Sequence, residues 1–293
     1  HSERTRHPGF HNPENARRLL RNYQLVRQAG LELSPEEYLQ VAKAHDWLGN
    51  VADAIAGCRR VLRMGAGDEL ALRRRVIELS DLLAEVDEEQ VDQDIDALLE
   101  SARKAGAVGH WLWAVERKAQ RLLDVGKVDE ALELADRAAE RLADPRQQVR
   151  LDYFRALAQY RRGDLDAAER MLLALRDRLT VRDDLDARSG WLLGRVHLED
   201  DRPLLALRIF RDVATRHPSG EYHVAALLGM GEALVRLERF DEAMDMFSRA
   251  LEAVGRHPRS PRAGPAALRA VLTVVSEVAR RMGRLDVALT ALE

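Results

Sequence analysis

Three histidines near the N-terminus, His1, His7 and His11, are the first residues in this 293-residue sequence whose type and spacing suit a metal ion. Pro8-Gly9 lies between the last two and interrupts the helix that would align their imidazoles, so the segment reads as a flexible lead-in over residues 1–13. Asp92-x-Asp94-x-Asp96 offers alternating oxygens in the manner of a calcium loop. Such a loop needs Gly at its sixth position and Glu at its twelfth, where this chain has Ala97 and Arg103. Val91, Ile95, Leu98 and Leu99 instead have helical spacing, which predicts a helix whose acids face water. Nine acidic residues and no basic one fall within 81–100, so the same segment is also a candidate docking patch for a basic partner. His197-Leu198-Glu199-Asp200 does not put two imidazoles on one face. Gly65-Ala66-Gly67 and Gly229-Met230-Gly231 lack the partner residues and the preceding strand of a nucleotide fingerprint. Cys58, at an apolar helical position, reads as a small core residue. No catalytic constellation emerges, and the expectation is a non-enzymatic chain with no cofactor and no metal.

The totals narrow the field further. With 46% apolar and 32% charged residues the chain is far too apolar to stay unfolded. A net charge of −3 gives no basic excess, so nucleic acid and anionic membrane lack electrostatic support. The cations are 42 Arg and four Lys, a compositional bias rather than a chemical one. One cysteine excludes an internal disulfide framework. No run of 18 or more apolar residues occurs, so no membrane span is expected. The sequence starts at His1 rather than Met and shows no leader pattern, which reads as a piece of a longer protein. Its setting is expected to be the cytoplasm, or the soluble part of an anchored or exported bacterial protein.

The elements that would position any site are written in a repeat. In GEALVRLERFDEAMDMFSRALE, residues 231–252, a turn at Glu238 is followed five residues later by Ala243 and nine later by Phe247. The same spacing joins Gly49, Ala54 and Cys58; Gly126, Ala131 and Ala135; and Gly163, Ala168 and Leu172. It recurs in Asp201, Ala206 and Phe210, and in Gly283, Ala288 and Leu292. Successive turns lie 77, 37, 38, 37 and 45 residues apart, and a degenerate copy near Asp87-Glu88 halves the first interval. Each copy predicts a helix, a tight turn and a second helix. Asp129, Asp166, Asp241 and Asp286 stand where second helices begin, suited to capping their free N–H groups. Ala, five after the turn, must be small because the paired helices approach closely there. Ser34-Pro35-Glu36-Glu37 is a capping-box start, while His217-Pro218 and the arginine-rich loop 256–265 break the chain between copies.

This pattern resembles the tetratricopeptide repeat family over roughly nine-tenths of the chain, from about Leu33. Small residues fill the family's first-helix position at Ala42, Ala119, Ala156, Gly194 and Gly231. The resemblance implies an all-α, right-handed superhelical solenoid of about seven antiparallel helix pairs, with a period of 37–38 rather than 34. As a single array over 14–293 its copies would be 33–66, 67–106, 108–144, 145–182, 183–219, 220–258 and a truncated 265–293. It also implies that first helices line a concave face. Carried over by register, Trp113, Glu116, Arg150, Tyr153, Tyr160, Arg188, Trp191 and Arg195 point inward as partner-binding candidates, with packing between copies as the competing role for the rings. The family's clamp for a C-terminal carboxylate uses an Asn that none of these positions supplies.

The expected function is therefore a non-catalytic scaffold that binds a protein or peptide segment along the concave face. A ligand-sensing or regulatory domain of a larger signalling or transcription protein is the alternative. An RNA-binding array is less favoured, since Glu116, Glu232 and Glu277 fall at inward positions. The truncated last copy is expected either to continue in a longer protein or to drive self-association.

Overall fold

The computed structural model describes residues 12–83 and 85–256, with Thr273, Ser276 and Arg280 beyond them. Among these residues there are thirteen α-helices and no strand. They are α1 (Pro13–Gln28), α2 (Pro35–Leu48), α3 (Val51–Arg63), α4 (Glu69–Ser80), α5 (Glu88–Lys104), α6 (Val108–Asp124) and α7 (Val128–Ala139). After these come α8 (Pro145–Arg162), α9 (Leu165–Arg178), α10 (Asp184–Glu199), α11 (Pro203–Arg216), α12 (Glu221–Arg236) and α13 (Phe240–Arg256). From α2 onward they alternate as first and second members of helix pairs. His1, His7 and His11, most of the loop 256–265, and Asp286 and Gly283 of the seventh copy lie outside the described residues. The chain separates into two compact units, 1–118 and 119–293.

In unit 1 the start of α2 follows from four residues. The Glu37 N–H donates to Ser34 Oγ (3.3 Å) and the Ser34 N–H donates to Glu37 Oε2 (2.8 Å), closing the capping box. Gly49 ends the helix in the left-handed conformation at φ 80°. Just after the turn, α2 and α3 come so close that a Cβ on Gly57 would lie 2.7 Å from that of Ala42. Ala42, Ala54, Cys58, Val61 and Leu72 form the core there. The degenerate second copy departs from the pattern. α4 stops at Ser80, α5 waits until Glu88 with Asp87 as its cap, and Val91 occupies the buried place that Ala holds elsewhere. Two of the acids on α5 do not simply face water. Arg59 donates to Asp94 at 2.5 Å and Lys118 donates to Asp96, so neighbouring helices use them as anchors. Ahead of the first pair, α1 is capped by Asn12, which accepts from the Asn15 N–H at 2.9 Å, and seats Ala16 against Ala44.

Unit 2 repeats more faithfully. Its turns at Gly126, Gly163, Asp201 and Glu238 all have positive φ (77°, 82°, 53° and 59°), so the two without glycine adopt a conformation L side chains resist. Asp129, Asp166 and Asp241 sit inside the first turns of their helices rather than at the caps. The cap is the residue directly after the turn, and Asp164 is the one that uses its side chain, accepting the Ala167 N–H at 2.9 Å. First-turn acids still favour the positive helix end. Between helices, Phe210 lies against both Gly194 and Gly229, and Phe247 against Gly231; a Cβ at any of these glycines would overlap the ring. Both rings are 0% exposed. A charged knot ties the ends of α9 and α11 to the start of α10. Asp186, 5% exposed, lies 2.9 Å from His217 Nε2 and 3.3 Å from Arg176 Nη1.

Candidate functional site

The first helices α8, α10 and α12 of unit 2 form one layer, since α10 packs on both of its counterparts. Their partly exposed stripes recur every three or four residues, through Arg150 and Tyr160 on α8, Arg188, Trp191 and Arg195 on α10, and Leu228, Glu232 and Val235 on α12. Six of the eight expected contact residues belong to this layer. They divide by environment into two groups.

At one end of the layer, near the start of α10, Tyr153 is buried at 4% exposure and meets Phe154 edge-on with centroids 5.3 Å apart. The Arg188 guanidinium covers the Tyr153 ring at 4.4 Å and reaches Phe154 at 5.4 Å. Such stacking is attractive and fixes the plane of the cation. Trp191 is half-buried between two core clusters, with Tyr222 of α12 at 6.4 Å. Tyr153 is thus a core ring roofed by Arg188, and Trp191 bridges successive copies while staying partly exposed. Arg150, one turn before Tyr153, is exposed.

At the other end a polar ladder crosses the copies. The Tyr160 hydroxyl donates to Glu199 of α10. Arg195 lies 3.6 Å from Glu199 and donates to Glu232 of α12 at 2.5 Å. Burial, together with the bond to Glu199, pushes the Tyr160 phenol above its ordinary pKa. Burial opposes the charge of Arg195, but Glu232 and Tyr160 more than offset it and raise its pKa. Glu199 was not among the expected residues. Its signal is in the sequence nonetheless, 39 residues after Tyr160, close to one period.

Trp113 and Glu116 belong to unit 1. Arg74 stacks over the Trp113 ring at 4.7 Å, and Trp113 packs against the core cluster of Ile77, Val91, Ile95, Leu98 and Ala114. Glu116 is 7% exposed and has a polar partner. Unit 1 also holds a cleft of about 290 Å³ between α2, α3 and α4, floored by Leu39, Cys58 and Leu72 and rimmed by Lys43, Asp46 and Arg75. Arg75 holds Asp46 there through two hydrogen bonds of 2.7 and 2.9 Å. Burial, with Asp46 adding to it, pushes the Cys58 thiol up to about 11, which suits a packing residue and not a nucleophile.

His197 of the HLED run is buried, 3.9 Å from Glu169, and burial holds its imidazole below the ordinary value. Among the described residues, no group of three His, Cys, Asp or Glu side chains is placed to hold a metal, and no helix is long and apolar enough to cross a membrane.

A sequence profile described as tetratricopeptide repeat matches residues 116–179, 155–221 and 191–261 in three overlapping windows. The chain belongs to the tetratricopeptide repeat family. The windows advance by nearly one helix pair each, the same step as the observed turns. No curated protein matches the tetratricopeptide-repeat chain. Solved structures do. The apo form of the quorum sensor NprR from B. thuringiensis is 12% identical with a TM-score of 0.65, over 95% of this chain and 81% of that one. Apo RapI is 12% identical with a TM-score of 0.61, over 92% and 77%. A Rap protein complexed with competence and sporulation factor is 14% identical with a TM-score of 0.54, over the same shares. At such identity the likeness is one of fold, an all-α helical repeat.

Proposed function

We propose that this tetratricopeptide-repeat chain is a non-catalytic interaction scaffold that binds a peptide or protein segment along its first-helix face. The observation that carries the reading is the stripe over α8 and α10, where Arg150, Arg188 and the partly exposed Trp191 lie beside the buried rings of Tyr153 and Phe154. Arginine and large rings supply most binding energy when a partner excludes water from them. Tyr160 and Arg195 extend the contact line toward α12. Tyr153 acts in this reading through Arg188, by holding it.

A phage-displayed peptide library selected on the chain tests this. Enriched peptides are expected to lose binding to a Trp191→Ala, Arg150→Ala double variant whose far-UV circular dichroism stays that of the parent. Selection that enriches nothing, or peptides that bind the variant equally well, rejects the reading.

A second reading has its own support. The likeness to a quorum sensor and to a Rap protein complexed with competence and sporulation factor runs across more than nine-tenths of the chain. It favours a regulatory array in which ligand binding alters the stacking of copies. Small-angle scattering that changes on adding a selected peptide would distinguish this sensor from a passive scaffold.

A further inference from the structure

Two arginines of unit 2 are equally withdrawn from water and differently used. Arg176 has a side chain 14% exposed, donates to the Asp186 carbonyl at 3.0 Å and to Asp212 at 3.3 Å, and pairs with the Asp186 carboxylate. Arg188 is 13% exposed and donates no hydrogen bond among the described residues; its buried Nε is without a partner. The one carboxylate near it, that of Asp184, stands at 4.0 Å, beyond hydrogen-bond range. Burying a guanidinium while leaving its donors unused is unfavourable, and packing alone does not call for a charge at this position. Its guanidinium carbon lies over the Tyr153 ring at 4.4 Å, and a guanidinium held by its face against a ring spends none of its N–H donors there. Those donors are what receive a carboxylate through two parallel bonds.

We propose that Arg188 is a preformed receptor for a side-chain carboxylate, so that the bound segment is acidic. This rests on the peptide-binding reading and names its chemistry. The field around Arg188 agrees. Arg146, two turns before Tyr153 on α8, is exposed and makes no ion pair among the described residues, while Arg150 between them has a partner of its own. Opposing charges are few or occupied. Asp152 is held by Arg155 at 2.9 Å and Arg178 at 2.6 Å, and Glu221 has a partner of its own. Asp184 is exposed at the first turn of α10. Toward α12, by contrast, Arg195 is already neutralised by Glu199 and Glu232, which makes that end unsuited to a long polyanion.

The test is fluorescence anisotropy with three labelled probes: an extended peptide alternating Glu with Leu and Trp, its Gln analogue, and polyuridylate. Both peptides carry an amidated C-terminus, so that no terminal carboxylate competes. The Glu peptide is expected to bind the parent chain about tenfold more tightly than the Gln peptide, a gap that narrows with added salt. Arg188→Gln should close the gap between the Glu and Gln peptides, with an unfolding midpoint equal to or above the parent's. Arg188→Lys should restore part of the gap. Equal binding of the two peptides to the parent chain overturns the acidic segment while the peptide reading stands, and this comparison needs no variant to fold. Polyuridylate binding more tightly than the Glu peptide overturns it in favour of nucleic acid. Binding of neither peptide overturns both readings.

Discussion

Nine residues after the turn, two copies of unit 2 place Phe210 against Gly194 and Gly229 and Phe247 against Gly231, while the first pair of unit 1 places Cys58 against Ala42 and Ala54. The two solutions fill the same gap. In these two copies a large ring is admitted because the facing helix gives up its Cβ. In unit 1 both sides are small, and the helices close on each other instead, as the Gly57–Ala42 approach shows. Ion pairs between helices do not separate the units: Arg59–Asp94 and Arg75–Asp46 in unit 1 have counterparts in Arg155–Asp136, Arg178–Asp152 and Arg195–Glu232 of unit 2. The profile match begins at residue 116 and so covers almost only unit 2. The family pattern thus accepts Ala135, Leu172 or a phenylalanine nine residues after the turn, and the ring enters where the facing residue is glycine.

The sharpest way to break this contrast is to truncate the equivalent positions. Phe210→Ala should cost about 4 kcal/mol and Cys58→Ala only about 1 kcal/mol, read as shifts in urea midpoint at constant slope. Similar losses would mean that the ring and the thiol are interchangeable and the contrast empty. Next in size, Gly231→Ala should destabilise by about 2 kcal/mol, because its Cβ would meet the Phe247 ring. Turn residues separate the units in the opposite direction. Glu238→Gly should stabilise by about 1 kcal/mol by relieving a positive φ, and Gly49→Ala should destabilise by about the same amount. Thermal melting of the two variants should move to opposite sides of the parent. The smallest effect concerns pH. With its folded pKa below the ordinary His value of about 6.5, His197 takes up a proton more readily when unfolded. Its contribution is therefore intact above that value and lost as pH falls toward the folded pKa. His197→Gln should flatten the decline in melting temperature on acidification from pH 7, and an unchanged slope would show that the imidazole has no part in it.

The period was readable because close packing between helices admits only small residues at Ala54, Ala131, Ala168, Ala206 and Ala243, all at most 1% exposed. The second copy was obscure for the same reason: Val91 stands where Ala marks the others, and no turn glycine precedes it. Cap positions were misjudged by two residues, since first-turn acids and true caps have the same composition and differ only in backbone geometry. The site was legible as a stripe but not as surroundings. Register put Tyr153 and Trp191 on one face, yet whether a ring there is open or roofed depends on Arg188, 35 residues away. Periodicity gives the address of such a neighbour and not its rotamer. Likewise the acids of α5 looked like a solvated face because nothing local reveals that Arg59 reaches Asp94.

Cys58 is the chain's single thiol, walled in by the first helix pair and α4, and its proton is held to about 11. At neutral pH it is un-ionised, and at the floor of its cleft it is only 5% exposed while those helices stay closed. Alkylation by a maleimide added in excess therefore proceeds at the rate at which this part of the molecule breathes open, so the native protein carries its own stopwatch for local unfolding at the N-terminal end, with no probe to be engineered in.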